Sequence, residues 1–157
     1  ERISSSVGIT TFGKYVDKYK VIRKSYFPKG TMSFLVGFDT ITRIFDPKYY
    51  VPHLPSQALN DFMKSSEFCC LTRAGEEEHN KQVNYADHIS QGFYEPSIPR
   101  SWGSRIHVLV NDKKYECVSS SSIRKDILNS RSLNLLTGEL PPAIIKYIQN
   151  HGNSIFQ

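Results

Sequence analysis

Thr31-Met32-Ser33-Phe34-Leu35-Val36-Gly37-Phe38-Asp39 is the stretch on which the fold turns. Residues 31–36 are a near-continuous apolar run of the kind that lies in a buried parallel sheet. Gly37-Phe38-Asp39 ends that run, and residues 40–45 resume helical spacing until Asp46-Pro47 closes it. Two later segments repeat the pattern: a strand over 67–72 that closes at Gly75, and another over 106–110. Helices are expected at about 57–64, from Glu76 through 89, over 121–128, and over 141–150 ending near Gly152. Residues 4–10 read as a short strand and 92–103 as irregular. Strands alternating with helices, each strand followed by a glycine-containing turn, imply parallel pairing through crossovers. Ligands in such sheets lie at the carboxyl ends of the strands. Gly37, Asp39, Arg73 and the serines at 119–122 all follow expected strands.

A chain of 157 residues is long enough for one compact domain with a proper core. At 39% hydrophobic and 12% aromatic it belongs to the globular class, not the disordered one. No apolar stretch approaches the eighteen or so residues of a membrane span, and Glu1-Arg2-Ile3-Ser4 has no apolar signal region. Three cysteines, Cys69, Cys70 and Cys117, cannot form a paired disulfide framework, and none has zinc-site spacing. A reducing address, cytoplasmic or nuclear, is the simpler expectation, and the lack of any Asn-x-Ser/Thr acceptor agrees with it. His107, inside a strand pattern, reads as structural. Glu76-Glu77-Glu78 reads as a solvated first turn of a helix, so no dedicated metal site is expected.

The net charge of +5 is confined to one place. Residues 1–30 carry Arg2, Lys14, Lys18, Lys20, Arg23, Lys24 and Lys29 against Glu1 and Asp17, and the rest of the chain is balanced. Phe12, Tyr15, Val16, Tyr19, Ile22 and Tyr26 recur there at three- and four-residue steps, which describes an amphipathic helix. Basic residues interleaved with aromatics also suit a nucleic-acid surface. The periodicity favours aromatics turned to the core, and argues against nucleic acid as a partner.

Val118-Ser119-Ser120-Ser121-Ser122-Ile123-Arg124 opens the helix expected over 121–128. Amides at a helix start have no internal partner and sit at the positive end of the macrodipole, where an anion is favoured. With Ser120 or Ser121 as the cap, Arg124 projects about one turn later, where its planar fork can grip phosphate oxygens. Taken alone, an ordinary capped surface helix explains these residues more readily.

The heptapeptide resembles the ISSTxxR signature of the nucleotidyltransferase superfamily, with Val118 for isoleucine and Ser121 for threonine. Phe34 to Asp39 looks like the strand and GxD turn of the nicotinamide mononucleotide adenylyltransferase family within it. Phe68-Cys69-Cys70-Leu71-Thr72-Arg73-Ala74-Gly75 is similar to that family's strand ending in an Arg-x-Gly turn, and Arg105-Ile106-His107-Val108 to the strand before the serine motif. Four motifs stand in the family's order. The stretch from Gly37 to Tyr50 looks most like the fungal branch, and the resemblance covers nearly the whole chain.

The resemblance implies an α/β fold: a Rossmann-like three-layer sandwich with a mostly parallel sheet, residues 1–157 forming one nucleotidyltransferase-like domain. It implies transfer of an adenylyl group from ATP to nicotinamide or nicotinate mononucleotide, with magnesium arriving on the triphosphate. Ser119, Ser120 and Arg124 would hold the ATP phosphates, and Arg124 would be the catalytic cation. Gly37 would admit the mononucleotide to the backbone, Asp39 would accept from ribose or amide, Tyr50 would stack on the nicotinamide ring, and Arg73 would line the pocket. For Tyr50 and Arg73, packing roles suit the residues equally well, and Trp102 suits a packing role better than a binding one. The family's His-x-Gly-His turn is missing between Glu1 and Gln157. This chain is therefore expected to be the C-terminal part of a longer protein, incomplete at the N-terminus of the fold. Phe38, where the family has a small residue, is expected to narrow or reshape the mononucleotide pocket. A non-catalytic relative and a basic nucleic-acid binder stand as the other readings.

Overall fold

In the computed structural model, which describes residues 7–74, 79–129 and 138–152, the chain divides into two compact units, Glu1–Val110 and Asn111–Gln157. The first unit opens with helix α1 (Tyr15–Ser25) and strand β1 (Met32–Gly37). Helices α2 (Phe38–Ile44), α3 (Pro55–Ala58) and α4 (Asn60–Lys64) lead to β2 (Ser66–Leu71). Helices α5 (His79–Val83) and α6 (Tyr85–Gln91) and a 3-10 stretch, Arg100–Arg105, then lead to β3 (Ile106–Leu109). The strands pair in parallel in the order β1-β2-β3, which requires these long helical connections. The fold is thus the expected open α/β arrangement of Rossmann-like type.

Register decides which side chains meet the helices. Phe34 pairs with Phe68 and Phe68 with Ile106, while Val36 pairs with Cys70. With Phe62, Ile41 and Ile89 these residues form the main core, and the Phe34 and Phe62 rings lie 5.6 Å apart. Each fully buried phenylalanine or isoleucine contributes about 2 kcal/mol of hydrophobic stabilisation. Trp102 lies in this core with its ring 5.7 Å from that of Phe45, the packing role expected of it. The opposite sheet face is different: Leu35 is 80% exposed, and Leu71 and Leu109 are exposed as well. The run at 31–36 is therefore buried on one side only, because helices cover one face and successive residues alternate between faces.

Other expectations shift in detail. Residues 7–10 form no strand, and 4–6 lie outside the described residues, as do Gly75 and Glu76 to Glu78. The basic helix exists, and Tyr15, Val16 and Tyr19 pack against the core. Phe12 and Tyr26 are exposed because they fall outside α1, where helical periodicity no longer applies. Arg23 is spent on the turn after α1, donating to the carbonyls of Phe27 and Gly30. The helix expected over 57–64 breaks at Leu59 into α3 and α4.

The second unit holds α7 (Ser120–Leu128) and α8 (Pro142–His151). Proline starts α8 and Gly152, at φ 65°, ends it. Ile123, Ile127 and Ile148 pack together with Val118 and Leu140.

Candidate functional site

Gly37 is the last residue of β1, and α2 begins at the next residue without a connecting loop. Asp39 therefore lies in the first turn of α2, where its carboxylate faces the positive end of the helix. Arg73 follows β2 by two residues, and parallel pairing brings it beside the same strand ends. Its Nε donates to Asp39 Oδ1 at 3.0 Å, with both side chains about four-fifths buried. Arg43, one turn along α2, comes within 3.8 Å of Asp39 Oδ2.

The glycine is required by this pair. A Cβ at position 37 would lie 2.6 Å from Arg73 Nε and 2.7 Å from Asp39 Oδ1. Its φ of −85° suits any residue, so close approach, not conformation, selects glycine. Arg73 is held from behind by Gln82, which is fully buried. The Arg73 amide donates to Gln82 Oε1 and Gln82 Nε2 donates to the Arg73 carbonyl, both at 2.8 Å. The Thr72 amide donates to the Leu109 carbonyl and ties the end of β2 to β3. The negative charge of Asp39 is felt nearby. Burial and then Asp39 raise the Tyr15 hydroxyl's pKa, and burial, with Asp39 adding to it, pushes the Cys70 thiol up to about 12.

Tyr50 is not part of that cluster. It lines a cavity of about 280 Å³ together with Lys14, Tyr15, Thr40, Arg43 and Tyr49. Its hydroxyl donates to the Ile44 carbonyl at 2.6 Å, which fixes the ring at the cavity wall. Burial, then the Asp46 carboxylate, raise its pKa. Lys14 Nζ stands 6.0 Å from the centre of the Tyr50 ring. Phe38 does not narrow this cavity. Its ring is buried in the core, edge-on to Tyr85 at 5.2 Å, because β1 runs straight into α2 and turns position 38 inward.

In the second unit, Ser119 rather than Ser120 or Ser121 caps α7, its Oγ accepting from the Ser122 amide at 3.0 Å. Capping uses the oxygen as an acceptor and leaves the hydroxyl proton free to donate. Ser120, Ser121 and Arg124 are exposed, since Ile123 and Ile127 fix the buried side of the helix. Arg124 Nη2 lies 3.4 Å from Ser121 Oγ. Four hydroxyls and a guanidinium at a helix start are groups that could donate to a phosphate.

His107 sits on the outer sheet face, its Nε2 3.6 Å from Glu67 Oε2, while Ser33 Oγ donates to the other oxygen of Glu67. These bonds, that of Ser33 foremost, hold the Glu67 carboxyl below its usual range. Among the described residues no helix is long and apolar enough to cross a membrane.

Three residues join the sites without having been singled out as binding residues: Gln82, Arg43 and Lys14. Arg43 carried a usable signal, standing four residues after Asp39 on one helix. Lys14 was hidden in a basic segment and Gln82 in a polar helix, and neither has a local mark of its role.

A protein of Schizosaccharomyces pombe, named provisionally as a nicotinamide mononucleotide adenylyltransferase, is 33% identical to this chain over 102 residues. The match covers 64% of this chain, and the chain spans about 40% of that protein's length. No family model and no solved structure matches the chain.

Proposed function

We propose that this chain forms part of an adenylyltransferase that joins ATP to nicotinamide or nicotinate mononucleotide, giving the dinucleotide and pyrophosphate. The observation that carries this reading is the Arg73 guanidinium paired with Asp39 and lying directly against Gly37 at the end of β1. Such a cluster offers a carboxylate and a cation at the carboxyl ends of parallel strands, where ligands of this fold class are bound. The relative's name agrees with nucleotidyl transfer.

In the proposed reaction the mononucleotide phosphate attacks the α-phosphorus in line, forming the new phosphoanhydride bond as the bond to pyrophosphate breaks. The protein's share is positioning and neutralisation of the charge gathering on the leaving group. Arg124, Ser119 and Ser120 would hold the β- and γ-phosphates of the magnesium-bound triphosphate. Asp39 keeps lone pairs beyond those used by its two guanidiniums and would accept from ribose or amide. Tyr50 would present its ring to the pyridine, an aromatic contact worth about 1 kcal/mol beyond burial.

The test is dinucleotide synthesis by the complete protein with Mg-ATP and either mononucleotide. Arg124→Ala is expected to lower kcat/KM for ATP at least about tenfold, the worth of about 2 kcal/mol in a charged hydrogen bond. Arg124 is exposed, so the melting temperature should hold. An unchanged rate at limiting ATP would remove the clamp role, and no dinucleotide from either substrate would remove the proposed activity.

A further inference from the structure

We infer that the cavity beside Tyr50 selects the acidic form of the pyridine mononucleotide, nicotinate rather than nicotinamide, and that Lys14 is the residue that makes the selection. The inference rests on the adenylyltransferase reading above and concerns its acceptor site. The charged side chains lining the cavity are Lys14 and Arg43, and no carboxylate lines it. Arg43 is partly neutralised by Asp39 at 3.8 Å. Lys14 has no ion pair among the described residues, and its ammonium stands 6.0 Å above the Tyr50 ring.

The two candidate substrates differ in one respect that this arrangement can sense. The glycosylated pyridine ring carries a positive charge in both. With a carboxamide on the ring, that charge is uncompensated, and a lysine across the aromatic platform repels it. With a carboxylate, the ring is neutral as a whole, and its negative end can accept a charge-assisted hydrogen bond from the same ammonium. Tyr15, Tyr49 and Tyr50 supply the aromatic walls that a flat ring needs and do not distinguish the two forms. Lys14 precedes α1, and its side chain caps nothing, so it is free to reach a ligand at the cavity rim.

Both mononucleotides also carry a phosphate within the chemistry of a lysine, so the test separates the two uses. It compares kcat/KM for nicotinate and nicotinamide mononucleotide at saturating Mg-ATP in the complete protein, with Lys14→Ala and Lys14→Glu beside it. The expected result is a preference of about tenfold for nicotinate, the size of one charged hydrogen bond. Lys14→Ala should abolish that preference, and Lys14→Glu should reverse it. Equal use of both forms by the unaltered protein, or a preference for nicotinamide, would overturn the assignment while leaving the adenylyltransferase reading standing. So would an equal loss for both forms in Lys14→Ala, which would mean that Lys14 serves the shared phosphate. Turnover of neither form would sink the underlying reading and this inference with it.

Discussion

An alanine at position 37 would add a single methyl group and set it where the Arg73 guanidinium now lies. The atoms it meets are the mobile ends of two side chains, so the fold can yield, at about 1 kcal/mol, the low end for overpacking. The pair with Asp39 cannot survive the displacement. Gly37→Ala is therefore expected to move the melting temperature by only a few degrees and to raise the KM for the mononucleotide at least about tenfold. Equal loss in both measurements would mean that the pair serves stability alone. The thiols offer a second residue-scale contrast. Cys70 is buried and its pKa is pushed from 9.0 to about 12, whereas Cys117 is exposed. At pH 8 an alkylating reagent should label Cys117 quickly and Cys70 only on unfolding, as mass spectrometry of the peptides would report. Because folding raises this thiol's pKa, its contribution to stability is complete below 9.0 and is lost as pH rises toward 12.

At the scale of elements, the start of α7 has two duties that can be separated. Ser119→Ala removes the cap and should cost about 1 kcal/mol. Ser119→Asp keeps an acceptor for the Ser122 amide and favours the dipole, so the melting temperature should hold. The same carboxylate would repel a triphosphate. Unimpaired ATP use by Ser119→Asp would show that the serine caps the helix and does nothing more. Gln82 plays a comparable part for α5, tying that helix to both backbone groups of Arg73. Gln82→Ala should cost about 2 kcal/mol in denaturant unfolding, since it leaves buried groups without partners. How much of this was legible follows from range. β1, β2 and β3, the turn at Gly37 and the helix after the serines announce themselves through neighbours within a few residues. The single-sided burial of β1 depends on which face the helices cover, and the Gln82 contact spans nine residues, so neither leaves a local pattern. Phe38 is turned to the core because β1 runs directly into α2, a consequence of the strand–helix junction that residue type alone does not announce.

At the scale of the molecule, the chain contains no His-x-Gly-His turn to meet the transferring phosphoryl group. Residues 1–157 produced alone are accordingly expected to make little or no dinucleotide, and a clear rate would show that the phosphoryl group is stabilised by other means. The sheet adds a different expectation. Among the described residues β1 is an outer strand, and on the outer sheet face its Leu35 is exposed, as are the paired Leu71 and Leu109 of β2 and β3. Open strand edges next to apolar surface invite strand-to-strand association between copies. The isolated chain should therefore sediment as concentration-dependent aggregates, and Leu35→Lys should return it toward a single slow species. The face that makes β1 an incomplete wall of the fold is then also what would limit the solubility of the chain and its shelf life in the laboratory.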